Sequence, residues 1–319
     1  MGSGVWAVVG VVGVGGWVVH SSPMNEKPYP LVFEPVLMEK VWGGRRLASL
    51  GKTLINPDAK YGESWELADM GSTSASGAGG GAVRSVIANG GMRGKTIHEA
   101  MERWGEGMLG DGEAGAGERA FPLLIKFLDA SENLSVQVHP SPAFAAVNAG
   151  AHLKTECWYI LAAEPGAMIY KGVKPGVTAS SFEAKIGAGT VVEDLVAVPA
   201  VVGECHNLPS GTVHALGAGV VVAEVQTPSD TTYRVFDWGR KGRELHVRQA
   251  MECIAWSRAP GGTRRREGER RARLVTTEYF CVDEVKGGGS LREFEGTCVL
   301  LIVLEGNGQL VCAGAKPAG

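Results

Sequence analysis

The stretch that decides the fold is LSVQVHPSP, which covers residues 134–142. Apolar and polar side chains alternate from Leu134 to His139, and this period of two predicts a half-buried strand. We expect the apolar set to pack on a neighbouring layer and the polar set to line a cavity. The polar set consists of Ser135, Gln137 and His139. Ser141 followed by Pro142 predicts the N-cap and first residue of a helix.

The segments around this strand carry further strand patterns. FPLLIKFLDA (121–130) is typical of a buried strand, and VVVAEVQ (220–226) and TYRVFDW (232–238) alternate. Residues 244–256 return to a helical period, and residues 72–120 predict a small Gly-, Ala- and Ser-rich insertion with one helical patch. The chain is therefore predicted to be mainly β.

Composition excludes some classes of function. The 319 residues hold 31 basic and 34 acidic side chains, a formal net charge of −3, which does not suit a bulk nucleic-acid binder. The six cysteines are scattered, without a CxxC pair, at 157, 205, 253, 281, 298 and 312. Neither a disulfide framework nor a cysteine zinc site is expected, and we predict free thiols in a reducing cytoplasm.

Two further segments carry possible metal ligands. Glu156 lies where the segment Lys154-Thr155-Glu156 enters a strand, and the turn PSGTVH places His214 at the start of another. With Gln137 and His139 they offer the nitrogen and oxygen ligands of a divalent cation. Taken singly, each has an ordinary alternative: an exposed histidine, a solvated charge pair and a satisfied core histidine. His206 is a weaker ligand candidate.

Two strands carry polar groups on a face that is otherwise apolar. Glu224 shares a face with Val220 and Val222, and buried polar groups require partners. Arg234 shares a face with Thr232 and two aromatic residues. It suits contact with an anion or an enediolate, and the alternative is an arginine paired with a carboxylate on a barrel rim.

Several motifs together carry a family resemblance. In chain order they are EKVWGG, YGESWELAD, PLLIKFLDA, LSVQVHP, KTECWY, PSGTVHALG, VAEVQ, SDTTYRVFDW and GRELH. This set resembles type I mannose-6-phosphate isomerases, especially the short bacterial form, and covers residues 30 to about 256. The Gly-x5-Pro-x-Gly-x2-His element that ends at His214 resembles the second motif of the cupin superfamily. The resemblance implies a cupin (jelly-roll) β-barrel.

The resemblance also implies a site. Its metal ligands fall on His139, Glu156 and His214, with Gln137 adjacent or also ligating, and its cofactor is one Zn²⁺ per chain. Its substrate contacts fall on Ser135 and Lys154, with Glu224 a further candidate, and its catalytic residues on Arg234 and Lys154. The implied reaction interconverts mannose 6-phosphate and fructose 6-phosphate through a cis-enediol. Lys154, Glu224 and a water at the metal all stay open as the group that moves the proton.

Two other functions fit parts of the pattern. Two histidines and a carboxylate are also the ligands of non-haem iron oxygenases, so an iron cupin is one alternative. A non-catalytic sugar-binding cupin is the other. We predict a sugar phosphate as the small-molecule partner, with no nucleic acid and no membrane; the pattern leaves the oligomeric state unknown.

The expected domain organisation has four parts. Residues 1–23 carry no Asp, Glu, Lys or Arg, and we expect a non-native or disordered apolar extension, with an export signal or anchor as the rival. Residues 24–260 form the catalytic cupin domain, and 261–273 an exposed Arg-rich linker. Residues 274–319 form a partial second cupin-like domain, expected to be truncated or reduced.

Overall fold

The computed structural model describes residues 5–11, 18–19, 28–74, 78–109, 120–287, 298–306 and 309–310. The strands are β1 Val5–Val11, β2 Val18–Val19, β3 Val36–Gly44, β4 Tyr61–Leu67, β5 Asp69–Met70, β6 Val83–Arg84, β7 Leu124–Ala130, β8 Val136–Val138, β9 Glu156–Ala163, β10 Met168–Val173, β11 Leu195–Pro199, β12 Cys205–Leu208, β13 His214–Leu216, β14 Val220–Gln226, β15 Tyr233–Phe236, β16 Gly262–Thr263, β17 Arg271–Thr276, β18 Phe280–Lys286, β19 Val299–Glu305 and β20 Gln309–Leu310. The helices are α1 Ile97–Trp104, α2 Glu106–Leu109, α3 Pro142–Val147, α4 Ala179–Ala188 and α5 Val247–Cys253.

Two sheets form the body of the molecule. A seven-stranded sheet has the order β16-β12-β9-β14-β7-β3-β4, and a five-stranded sheet has the order β11-β10-β13-β8-β15. One apolar cluster joins them, because Leu128, Trp158 and Val222 of the larger sheet pack with Ile169 and Leu216 of the smaller one. The mainly β fold expected of a cupin-type protein is confirmed, and among the described residues its strands form separate packed sheets rather than one closed barrel.

Helices cover the outer face of the five-stranded sheet. Val136 and Val138 of β8 pack there against Phe144 of α3 and Phe182 of α4. The predicted N-cap of α3 is confirmed, since the Ser141 hydroxyl accepts a hydrogen bond from the Phe144 amide. Apolar residues of β8 therefore face outward into this layer, which leaves the polar residues between them to face the other sheet.

The outer face of the seven-stranded sheet is covered by a third sheet, of order β17-β18-β1-β19. Its Phe280 and Val282 share an apolar cluster with Phe127, Tyr159 and Val225. Two segments expected to lie outside the folded domains contribute strands here. Residues 5–11 form β1, which pairs in parallel with β18 and β19. The predicted linker contains β16 and the start of β17, although Arg264, Arg266 and Arg270 within it are exposed.

Two details of the predicted strands are wrong. β8 begins at Val136, so Leu134 lies in the cluster between the two sheets and not with Val136 and Val138. A register shift between Arg234 and Phe236 turns Phe236 toward the helical layer, whereas the alternation placed it on the face of Arg234. The period of two is interrupted by the start of β8 in the first place and by the register shift in the second.

The other expectations concern loops, thiols and membranes. The helical patch in the insertion is confirmed as α1 and α2, whereas the predicted loop 110–117 lies outside the described residues. The described cysteines, at 157, 205, 253, 281 and 298, are free. In the part of the chain that the structure describes, no helix is long and apolar enough to cross a membrane.

Candidate metal centre and pocket

His139, Glu156 and His214 meet between the two main sheets. Ligand atoms of the three residues all lie within 4.8 Å of one another, and all three side chains are buried. His139 Nε2 lies 3.4 Å from Glu156 Oε2, and His214 Nε2 lies 3.2 Å from Glu156 Oε1. His139 follows β8 and His214 begins β13, both in the five-stranded sheet, whereas Glu156 begins β9 in the other sheet. The site therefore bridges the two layers.

Backbone contacts set the tautomer of both imidazoles. His139 Nδ1 lies 2.9 Å from the Thr231 carbonyl oxygen, and His214 Nδ1 lies 2.8 Å from the Thr212 carbonyl oxygen. A carbonyl oxygen is only an acceptor, so each Nδ1 must carry the proton and donate it. Each Nε2 then presents a lone pair toward Glu156, which is the arrangement that metal-ligating histidines adopt.

The converging groups fit a cation. Among the described residues, His139 Nε2 and both carboxylate oxygens of Glu156 are buried without a hydrogen-bond partner. Two imidazole lone pairs and one carboxylate are all electron donors, and such a cluster is unfavourable in a buried site unless a positive charge compensates it. Nitrogen and oxygen donors of this kind suit Zn²⁺.

Electrostatics keep these groups in the states that bind metal. Burial, followed by the charge of Lys154, lowers the pKa of His139 to about 3, so the ring is neutral at neutral pH. Burial alone would raise the pKa of Glu156, but the charge of the Lys154 ammonium opposes burial, and that pKa is held well below its usual value. Lys154 Nζ lies 2.8 Å from Glu156 Oε2. The Glu156 carboxylate is thus ionised and the His139 imidazole neutral.

Gln137 lies beside the three ligand candidates. It pairs with His214 across β8 and β13, and its amide nitrogen is placed 3.3 Å from His214 Nε2. The two ends of an amide are interchangeable in position, so the same side chain can turn its oxygen to the centre. Gln137 is therefore placed to supply a fourth ligand.

A polar pocket of about 330 Å³ opens next to this centre. The predicted residues Ser135, Gln137, Lys154, Glu224 and Arg234 all line it. These five residues come from four segments of the sequence, and tertiary structure brings them to one cavity. Lys154 and Glu156 are 4% and 0% exposed, so the alternative of a solvated charge pair is wrong.

The pocket floor contains a charged network that the sequence reasoning missed. Lys126 Nζ lies 3.3 Å from Glu224 Oε1 and 3.9 Å from Glu63 Oε2. It also lies over the Trp65 ring, 4.9 Å from the centroid. Burial would lower the pKa of Lys126, but Glu224 and Glu63 outweigh it and raise that pKa. The sequence did contain a signal for this network. Lys126 lies inside the apolar run FPLLIKFLDA, and a charge buried in such a run requires partners.

Glu224 connects this network to the metal centre. Its Oε2 accepts a hydrogen bond of 2.9 Å from Trp158 Nε1, and the Trp158 ring meets His214 edge-on with centroids 5.3 Å apart. Its Oε1 faces Lys126 without hydrogen-bond alignment, and no other described residue donates to it. Glu224 is therefore a fixed carboxylate that lines the pocket, and its buried Oε1 has no hydrogen-bond partner among the described residues.

His206 lies apart from the centre, so the weaker ligand assignment is wrong. It lies on β12, and the metal-ligand cluster found among the described residues does not include it. Its Nε2 lies 3.4 Å from Glu204 Oε2. Burial and the charge of Lys171 lower the pKa of His206 to about 4.

Fold and centre together define a class: a mainly β cupin-type protein with a buried His-Glu-His cation site beside a polar pocket. The model of the phosphomannose isomerase type I catalytic domain matches residues 31–170. Mannose-6-phosphate isomerase ManA of Bacillus subtilis is 36% identical over 294 residues, which cover 88% of this chain and 87% of that protein. The chain belongs to the type I phosphomannose isomerase family.

Solved structures agree with this assignment. The crystal structure of mannose 6-phosphate isomerase from Bacillus subtilis superposes with a TM-score of 0.66 at 33% identity, covering 79% of this chain and 78% of that one. A zinc-bound mannose 6-phosphate isomerase superposes with a TM-score of 0.54 at 16% identity, covering 77% and 80%. At that lower identity the second likeness shows the fold alone.

Proposed function

We propose that this chain is a zinc-dependent isomerase that interconverts mannose 6-phosphate and fructose 6-phosphate through a cis-enediol. The observation that carries the proposal is the convergence of His139, Glu156 and His214 beside a pocket lined by Lys154 and Arg234. Family membership supports the reaction and the substrate. The donor set and the zinc-bound structural neighbour support zinc.

His139, Glu156, His214 and Gln137 would hold the ion. Zinc held there would act as a Lewis acid toward the sugar oxygens. Lys154, 4% exposed at the pocket wall, is placed to donate hydrogen bonds to the same oxygens. Ser135 faces the pocket beside Gln137, and its hydroxyl can orient a sugar hydroxyl.

Glu224 is our choice for the proton acceptor. Aldose–ketose isomerisation moves a proton between C1 and C2, and this requires a base beside those carbons. Glu224 lines the pocket and its Oε1 has no hydrogen-bond partner among the described residues, whereas Lys126 has a raised pKa and stays protonated. Trp158 holds Glu224 through a hydrogen bond to Oε2, and Lys126 lies 3.3 Å from Oε1. Arg234, on the neighbouring wall, would stabilise the negative charge that develops on the enediolate.

The two alternative functions explain fewer of the residues that line the pocket. An iron oxygenase requires the three metal ligands but gives no role to the Glu224–Lys126 pair, and a non-catalytic sugar-binding protein needs no base. Family membership favours the isomerase over both.

The test is a coupled assay for fructose 6-phosphate formed from mannose 6-phosphate, with and without chelator, on the full chain. We expect turnover that disappears with chelation and returns with zinc. Glu224→Gln should lower kcat by about 10²-fold or more at unchanged zinc content, and Glu244→Gln, whose side chain is 81% exposed, is the control. Dioxygen uptake in the iron-loaded chain, or sugar-phosphate binding without turnover, would contradict the proposal.

Two wider features also remain proposals. We assign residues 24–260 to the catalytic cupin unit, with 261–273 as a connection and 274–319 within a second, cupin-like unit; the packing of Phe280 and Val282 on the catalytic sheet supports a structural role for that second unit. A cytoplasmic location is supported by the free state of the described cysteines, since reducing compartments keep thiols unpaired.

A further inference from the structure

The motif GRELH (242–246) ends in a histidine to which the proposed function gives no role. His246 directly precedes α5 and has the position of its N-cap residue. A polar side chain at this position ordinarily accepts a hydrogen bond from the helix, but the His246 side chain makes no such bond. The ring contacts β15 instead, and the side chain is 16% exposed. These contacts with β15 indicate a different role for His246.

Arg234 lies on β15, which is the outermost strand of the five-stranded sheet. β15 pairs with β8 on one side, and among the described residues no strand lies on its other side. The ladder is also irregular here, because the register shifts between Arg234 and Phe236. Backbone groups on the outer side of an edge strand have no ladder partner, and a buried unpaired group is unfavourable. The outer edge at Arg234 therefore requires a substitute for the missing strand.

His246 supplies both partners that a neighbouring strand would provide. Its backbone N–H donates a hydrogen bond to the Arg234 carbonyl oxygen at 2.7 Å. The Arg234 N–H in turn donates to Nδ1 of the His246 ring at 3.3 Å. The imidazole nitrogen thus takes the place of a backbone carbonyl oxygen, and both outward backbone groups of Arg234 are satisfied.

This contact requires a neutral His246 ring that carries its proton on Nε2. A backbone N–H can only donate, so Nδ1 is the acceptor and is unprotonated. Burial lowers the pKa of His246; the Glu244 carboxylate, which is 81% exposed, opposes this shift, and the charge of Arg234 supports it. The Tyr233 ring lies beside the imidazole, with centroids 5.9 Å apart. The ring is therefore held in the state and the place in which Nδ1 can accept.

The segment that ends at His246 also contacts the far end of the Arg234 side chain. Arg234 Nη1 donates to the Glu244 backbone carbonyl oxygen at 2.8 Å, whereas its Nε is buried without a hydrogen-bond partner among the described residues. The placement of this guanidinium in the pocket thus depends strongly on where the Arg234 backbone lies. A cation that stabilises developing charge loses much of its effect when it is displaced by about 1 Å.

We propose that His246 is a positioning residue, whose ring holds the Arg234 backbone so that the guanidinium faces the reacting carbons of the sugar. The inference rests on the proposed function, in which Arg234 stabilises the enediolate. His246 itself is not among the residues that line the pocket. Its loss should therefore slow turnover through Arg234 while substrate binding and the metal centre stay as they are.

The first test compares three substitutions of His246 in the zinc-loaded full chain. Asn can place an amide oxygen close to the position of Nδ1, whereas the longer Gln reaches the position of Nε2. For His246→Ala and His246→Gln we expect kcat to fall about 10-fold, with KM changed by less than about 3-fold and zinc content unchanged. His246→Asn should restore kcat to within about 3-fold of the wild-type value.

A double-mutant cycle tests whether His246 acts through Arg234. In an Arg234→Ala background, His246→Ala should reduce the residual kcat no further, because the group that it positions is already absent. Arg248→Ala is the matched control, since Arg248 lies nearby on α5 with a side chain that is 91% exposed, and it should leave kcat and KM unchanged. An unchanged kcat in His246→Ala, equal losses in the Asn and Gln variants, or a full further loss in the double mutant would each overturn the inference.

Hydrogen exchange of the Arg234 amide, followed by NMR, separates this inference from the proposed function because it requires no turnover. We expect exchange to be about 10-fold faster in His246→Ala than in the wild type and slow again in His246→Asn. Equal exchange rates in all three proteins would overturn the assigned contact. An inactive wild-type chain whose Arg234 amide still depends on His246 would contradict the isomerase and leave the contact supported. If His246→Ala does not fold, as judged by circular dichroism, the comparison of His246→Asn with His246→Gln decides the matter.

Discussion

At the scale of single residues, the pocket places each charge against a defined partner, and Arg234 is the exception. Its buried guanidinium meets one backbone carbonyl oxygen and a neighbouring like charge. A cation held in this way is already desolvated, so it interacts strongly with negative charge that develops during a reaction.

We expect Arg234→Ala to lower kcat by about two orders of magnitude or more, because a preorganised cation at the developing charge is lost. Metal content, measured by atomic emission, should stay at the wild-type value, since Arg234 is not among the residues that would hold the ion. Loss of zinc together with activity would instead point to a structural role for Arg234.

His206 gives a second prediction at this scale. Its pKa is about 4 in the folded chain, against about 6.5 when exposed, because burial and Lys171 disfavour the charged ring. Between these pH values the unfolded chain binds more protons, so stability rises with pH in that window and is lost on acidification toward pH 4. His206→Gln should flatten this part of the pH dependence.

The measurement is urea unfolding between pH 4.5 and 7.5 for both proteins. The metal centre contributes its own acid sensitivity to both, so the difference between the two profiles isolates His206. Identical slopes in the two proteins would contradict the assigned burial of a neutral ring.

At the scale of elements, the turn between β12 and β13 determines where His214 lies. Gly211 adopts φ +85°, and a Cβ atom there would lie 2.9 Å from the Cys253 carbonyl oxygen at the end of α5. The turn is thus held against the helical layer by a close approach that a side chain would prevent.

We expect Gly211→Ala to destabilise the chain by about 1 to 3 kcal/mol through left-handed strain and the close contact with Cys253. Gly166→Ala is the matched control, since its φ is +80° and a Cβ atom added there would meet no other atom within 4 Å. It should show the strain alone, about 1 kcal/mol. Equal losses in the two variants, measured by urea unfolding, would contradict a role for the contact.

Much of this element level could be predicted from the sequence. The strand at FPLLIKFLDA and the alternation around Gln137 follow from local periodicity, and both are confirmed. The position of Leu134 between the sheets and the orientation of Phe236 toward the helical layer could not be predicted. The first depends on where β8 begins and the second on a register shift, and both are set by the neighbouring strands. Lys126 was missed because its partners Glu63 and Glu224 are distant in sequence.

At the scale of the whole molecule, the metal centre joins two sheets. His139 and His214 belong to the five-stranded sheet, whereas Glu156 belongs to the seven-stranded one. An ion held by all three would tie the layers together, and any ligand bound by the folded chain alone raises its stability.

We therefore expect chelation to lower Tm by about 5 °C or more in a zinc-loaded preparation, as followed by circular dichroism. Glu156→Gln, which lacks the bridging carboxylate, should respond to chelator by a much smaller amount. Equal Tm values with and without chelator, in a chain shown to contain one zinc, would contradict a centre that bridges the sheets.

The sequence alone determined the strand period, the donor types and, through ordered motifs, the family to which the chain belongs. These depend on local spacing and residue chemistry, which are present in the linear chain. Only the tertiary structure decided that Glu224 is held between Trp158 and Lys126 and that Arg234 lines the same pocket. The physical reason is that partners for buried charges come from strands distant in sequence, and only the pairing of strands and the packing of sheets bring them into contact.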